Sequence, residues 1–117
     1  MQKSFIFLAG IFASLPSIVH SAGNTDPLHV ISFETRDDGY HAVYLDGPIL
    51  NEGCTLNDRA IIVESSSKLG SKTLVSTVLS SAVAKNRVVL RVSGCVAISL
   101  SQTSTTAPLV TKVQAQY

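Results

Sequence analysis

The sequence predicts an α+β fold: a small twisted antiparallel sheet, or a barrel rolled from one, with one amphipathic helix at about residues 71–85. Three observations carry this. Leu74, Val75, Val78, Leu79, Ala82 and Val83 recur with the 3.6-residue period of a helix face. On either side lie short runs rich in β-branched residues, residues 59–64 and 87–93, the second alternating with period two. A cysteine, Cys54 or Cys95, closes each end of this strand–helix–strand stretch. Strands before and after a single helix, in a chain of 117 residues, are segregated rather than alternating elements, which is the α+β pattern.

From the start of the chain, residues 1–22 read as a secretory signal peptide. Lys3 supplies the positive n-region, residues 5–13 the apolar core, and Pro16 a helix break. Val19 and Ser21 sit where small residues precede cleavage, here before Ala22. The apolar core falls short of the roughly 20 residues that span a bilayer. Export to the periplasm or beyond, with no transmembrane segment after cleavage, is therefore expected, and residues 23–117 are expected to form one domain. Nine Lys and Arg face eight Asp and Glu, and losing Lys3 makes the two equal. A neutral chain lacks the basic footprint of a nucleic-acid binder, and no nucleic-acid partner is expected. About 95 mature residues is small enough for a disulfide or oligomerisation to matter. Two cysteines in an exported chain predict a Cys54–Cys95 disulfide.

Residues 23–27 read as a loose polar arm. Residues 28–35 and 40–46 are expected strands around a hairpin turn, Asp37-Asp38-Gly39, in which glycine supplies the positive φ. Gly47-Pro48 ends the second strand, and Asn51-Glu52-Gly53 is a further turn. In the helix, Ser71 is the expected N-cap and Asn86 the left-handed terminator. Thr73, Ser76, Thr77, Ser80 and Ala84 make its outer face small and uncharged, which would let a second copy approach closely and form a homo-oligomer. After Cys95, residues 96–101 read as a strand and 102–106 as a hydroxyl-rich loop. Pro108 stands where a last strand, 109–117, begins.

The chemistry-bearing residues are few. His29 and His41 are not at a metal-ligand spacing and read as ordinary strand histidines, so no metal or other cofactor is expected. The serine pairs and triplets, Ser65-Ser66-Ser67 and Ser80-Ser81, lack a Gly-x-Ser-x-Gly elbow, and residues 65–70 lack the phosphate-loop pattern. Asp37 and Asp38 belong to a tight turn rather than a carboxylate pair in a cleft. Asp58 is expected to turn the chain, with Arg59 pairing to it or to a carboxylate across the sheet. No enzymatic activity is expected.

Cys54 followed by Asp58-Arg59, an amphipathic helix, and Gly94-Cys95 before a closing strand resemble a group of small exported bacterial proteins of unknown function. The order of strands, helix and further strands is also similar to the B subunits of pentameric AB toxins. That second resemblance implies an OB-like barrel, a ring of subunits packed through the helix, and glycan binding, with Tyr40, Tyr44 or Tyr117 as the aromatic platform for a sugar. The function expected is an exported, non-enzymatic binding or assembly module with a glycan or envelope partner. The alternative is a monomeric periplasmic inhibitor or envelope protein that acts through its hairpin edge.

Overall fold

A computed structural model describes residues 22–49 and 53–117. The expected signal segment, up to Ser21, lies outside the described residues, as do Leu50, Asn51 and Glu52 of the second turn. The elements in order are β1 (Ala22–Asn24), β2 (Leu28–Thr35), β3 (Tyr40–Leu45), β4 (Ala60–Val63), α1 (Ser71–Ala84), β5 (Arg87–Ser99) and β6 (Gln102–Gln116). The fold is α+β. Among the described residues it has one six-stranded sheet, ordered β1-β5-β2-β3-β4-β6, and β5 also pairs with β6. That last pairing closes β5, β2, β3, β4 and β6 into a ring, with β1 laid along β5. The sheet is not purely antiparallel as expected: β4 and β6 run parallel, meeting at Ile61 and Leu109. The reason is connectivity. The helix crossover returns the chain so that β5 runs antiparallel to β2, and the β5–β6 hairpin then presents β6 to β4 in the same direction.

Alternation fixes what the ring contains. Val43, Ala60, Ile62, Val88, Leu90 and Val92 point inward and are almost fully buried, and Val78 of α1 joins them. Each buried Val, Leu or Ile side chain among them stabilises by roughly 1.5–3 kcal/mol relative to exposure. The other face of β3 and β4 carries Ala42 and Ile61, buried in a second cluster with Ala107 and flanked by Tyr40, Val63, Val96 and Ile98. Sheet residues are therefore covered on both faces, because the distal half of the β5–β6 hairpin supplies the second layer.

That hairpin departs most from the sequence reading. Residues 87–93 and 96–101 are not two strands but one, β5, which keeps pairing with β6 through register shifts between Arg91 and Val92 and between Val92 and Cys95. Gly94, at φ +70°, sits in the second of these and lets the strand bend without ending. The hydroxyl-rich 102–106 segment is strand as well, and Pro108 lies buried within β6, opposite Cys95 in a bulged stretch. The 23–27 arm is not loose. β1 pairs Ala22 with Ser93 and Asn24 with Arg91, and the buried Thr25 bonds Leu90 in both directions: its N–H donates to the Leu90 carbonyl (2.8 Å), and its Oγ1 accepts from the Leu90 N–H (3.0 Å).

Three details of the helix also differ. The N-cap is Gly70, with no side-chain cap bond, and the left-handed residue is Lys85 (φ 60°), whose N–H reaches the Ala82 carbonyl. Ser71, Val78 and Ser81 are buried, whereas Leu79 is 42 % and Val83 85 % exposed. Leu74 and Val75 pack against the core beside Val78, as the apolar stripe predicts, while Leu79 and Val83 at its edge face solvent and Ser71 and Ser81 are buried.

Cys54 and Cys95 form the expected disulfide, their Cα atoms 5.6 Å apart across 41 residues of sequence. It ties the segment before β4 to the bend in β5. Thr55 and Leu56 reinforce the tie, since the Leu56 N–H donates to the Thr106 carbonyl at 2.9 Å and the Thr55 hydroxyl to the same oxygen at 2.9 Å. No described helix is long and apolar enough to cross a membrane.

Candidate functional site

The site begins where the barrel seam stops. β4 has four residues and pairs with β6 at a single register position, Ile61 with Leu109. Past that point the first turn of α1 lies beside the seam, and a groove of about 460 Å³ remains. Its walls are Ile62, Val63, Leu74, Val96, Leu109 and Val110, and its rim is Ser65, Lys68, Ser71 and Thr111. A second, more open recess of about 670 Å³ adjoins it and shares Ser65, Lys68 and Ser71. This recess carries charge: Asp37, Asp38, Glu64 and Lys72 line it. Together they form one cleft with an apolar end and a polar end.

The shared rim is held by the serine-rich loop between β4 and α1. The Ser71 hydroxyl, 5 % exposed, donates to the Lys68 carbonyl at 2.9 Å and accepts the Ser65 N–H at 3.3 Å. The Lys68 N–H donates to the Ser65 carbonyl at 3.0 Å, and the Ser65 hydroxyl takes the Ser67 N–H at 3.2 Å. Ser71, the residue expected to cap the helix, ties this loop instead. Neither lysine has an ion-pair partner among the described residues. The carboxylates differ. Asp38 accepts the Tyr40 N–H (3.1 Å) and the Leu100 N–H (3.3 Å), with Arg36 at 3.6 Å, so the hairpin tip is latched to the β2–β3 turn. Partial burial pushes its pKa upward, but those two N–H groups and Arg36 outweigh it and hold the carboxyl below the usual aspartate range. Glu64 is bound by His41, whose Nε2 lies 2.7 Å from Oε1.

The two histidines are not brought together. His41, 4 % exposed, stacks on Phe33 with ring centroids 5.6 Å apart, and its Nδ1 is 3.4 Å from the Thr35 hydroxyl. His29, at the other end of the β2–β3 hairpin, has its Nδ1 3.3 Å from Asp46 Oδ2. The Asp46 carboxylate is held below its usual range chiefly by the His29 backbone N–H. Among the described residues no group of three or more His, Cys, Asp or Glu is arranged to hold a metal ion.

Asp58 and Arg59 pair as one of the two sequence alternatives has it. Arg59 donates Nε to Oδ1 at 3.0 Å and Nη2 to Oδ2 at 3.2 Å, and these bonds hold Asp58 low and Arg59 high. The guanidinium also lies 4.9 Å from the centre of the Tyr44 ring. Of the tyrosines proposed as a sugar platform, Tyr44 is thus covered on one face by Arg59, Tyr40 is half-buried in the second cluster, and Tyr117 is fully exposed at the end of β6. None of them lines the cleft.

Sequence reasoning did not find the cleft. Its one local trace is the run Ser65-Ser66-Ser67-Lys68 immediately before the helix, which reads as ordinary loop until the seam beside it is known. Comparison of the chain with family models, curated proteins and solved structures returns no match.

Proposed function

We propose that this chain is an exported, non-enzymatic binding module built on an OB-type barrel, and that a component of the cell envelope is its ligand. The observation that carries the reading is the cleft at the β4–β6 seam. Its volume falls in the range of ligand sites, and apolar walls with a few convergent polar groups are what such sites present. A five-stranded ring with a helix between its third and fourth strands in chain order supports the OB assignment. The disulfide supports an oxidising compartment, in line with the signal segment read at residues 1–22.

Binding is favoured over hydrolysis by the placing of the histidines. The hydroxyl nearest to His41, that of Thr35, is 3.4 Å from it, outside good hydrogen-bond reach, and Thr35 does not line the cleft. The test is retention of ligand from glycan and envelope-extract arrays by the oxidised, exported protein. Wild type retains a ligand, and Thr111→Trp, which fills the groove from its exposed rim, loses it. Equal retention by both proteins refutes the cleft as the site.

A second reading, assembly through α1, is favoured by Leu79 and Val83, which stand exposed among the small residues Ser76 and Ser80. Light scattering tests it. An oligomer that Val83→Glu dissociates supports the reading, and a monomer at all concentrations refutes it.

A further inference from the structure

We propose that the outer face of β1, β5 and β6 is a second binding surface, for a linear acidic polysaccharide that lays its acid groups along Arg91, Lys112 and Arg87. This goes beyond the cleft reading and does not rest on it. The chain is close to neutral as a whole, but its charges are segregated. No Asp or Glu follows Glu64, whereas six Lys and Arg do. Three of those six stand on one sheet face. Arg91 and Lys112 are direct partners across β5 and β6, so their exposed side chains leave the sheet on the same side. Like charges placed directly opposite each other destabilise a sheet. None of the ion pairs among the described residues involves Arg87, Arg91 or Lys112. Asn24 of β1 completes the Arg91–Lys112 row with a neutral amide. An anionic group seated on that row answers two cations at once.

The rows beyond it call for an extended ligand. Next along the strands, Val89 stands opposite Gln114 and brings no charge. Arg87 follows, four residues from Arg91 and about 13 Å along the strand. Two carboxylates lie toward that far end and keep their charge. One is Asp26, two residues on from Asn24; the other is Asp46, bound to His29, the residue paired with Arg87. The positive potential is therefore strongest at Arg91 and Lys112 and falls toward Arg87. β5 has no free edge here, because β6 runs along one side and β1 and β2 along the other. A peptide lying over Arg91 thus gains no strand pairing from β5. Val89, the aliphatic residue between the cationic rows, is half-buried and leaves little to insert into a bilayer. A polysaccharide fits what the face offers: hydroxyls for the Asn24 and Gln114 amides, and repeated acid groups for the cations.

The experiment is calorimetric titration of the oxidised, exported protein with an oligogalacturonate, with its methyl ester and with an oligoglutamate of equal charge. The salt is about 0.1 M, where only charges within about 10 Å act strongly on one another. The oligogalacturonate is expected to bind, and its methyl ester, with the same rings and no charge, is not. Arg91→Gln and Lys112→Gln are each expected to weaken binding about two- to fivefold, as loss of a solvent-facing ion pair does. Arg87→Gln is expected to weaken it less, and Arg59→Gln, which removes the same charge from the start of β4, to leave it unchanged. Lys112→Gln is expected to melt no lower than wild type, because it relieves the repulsion from Arg91.

Failure of the oligogalacturonate to bind overturns the proposal, as does equal binding of its methyl ester. An Arg59→Gln effect as large as that of Arg91→Gln also overturns it, since net charge alone then governs binding. Oligoglutamate binding as tightly through Arg91 and Lys112 makes the partner an acidic peptide and refutes the polysaccharide.

Discussion

Removing the Cys54–Cys95 bridge by the double replacement Cys54→Ala, Cys95→Ala perturbs the unfolded chain far more than the folded one. The disulfide spans 41 residues, and in the chain-entropy treatment a loop of that length is worth about 4 kcal/mol. The native state keeps its own ties at the same place, because Thr55 and Leu56 still bond Thr106, so little of the folded geometry depends on the covalent link. Cys54 is buried, and losing its sulfur adds only a small burial term. For a domain of this size a loss near 4 kcal/mol lowers the melting temperature by about 15–30 °C. The assay is urea unfolding of wild type and variant, followed by far-ultraviolet circular dichroism, with the midpoint and the slope fitted separately. A loss of about 1 kcal/mol or less would refute the reasoning. It would mean that the unfolded chain already holds residues 54 and 95 close together, or that the bridge strains the fold it closes.

Three further predictions follow from particular side chains. Val78→Ala and Val83→Ala delete the same atoms from one helix, at 0 % and 85 % exposure. The first is expected to cost about 2 kcal/mol, from lost burial and the cavity left behind, and the second to lie within about 0.5 kcal/mol of wild type; equal costs in denaturant melts contradict the helix orientation. Asp38 is held below the ordinary aspartate range, so it stabilises the fold fully above that range, and its contribution is lost as pH falls through its lower folded value. Asp38→Ala is therefore expected to flatten the acid limb of the stability profile below about pH 4, and to speed hydrogen exchange at the Leu100 amide, whereas an unchanged limb contradicts the latch. Replacing Gly94, which has φ +70° and open space around its Cβ position, with Ala is expected to destabilise through backbone strain alone, by about 1 kcal/mol; a neutral result in the same melts shows that the bend does not need glycine.

The parts of the fold legible in the sequence are those that local chemistry decides. The hairpin turn Asp37-Asp38-Gly39 is one, with Gly39 at φ +86° and β2 and β3 on either side. The extent of α1 and the cysteine pairing are others. What was not legible depends on partners far away in the chain. β1 looks like polar turn material until Ser93 is found beside Ala22. The sequence reading ends one strand at Ser93 and starts the last one after Pro108, yet β5 and β6 run through Gly94 and Pro108 with register shifts because the long hairpin bends over the face of β3 and β4. Leu79 and Val83 share the periodicity of Leu74, Val75 and Val78, yet only the tertiary packing shows that they are exposed and that Ser71 and Ser81 are buried. The cleft belongs to this second kind. Its walls come from four elements, and its existence follows from β4 being too short to pair with β6 beyond Ile61.

The claim on which the functional account depends is that the unpaired end of the β4–β6 seam is where the ligand sits. An amide chemical-shift map of the oxidised, exported protein, titrated with whole envelope extract, tests this most directly. The account predicts that shifts concentrate at Val63, Ser65, Lys68, Lys72, Val96 and the Leu109–Thr111 stretch of β6. Shifts confined to the Tyr44–Arg59 face, or to the Leu79–Val83 flank of the helix, would contradict it.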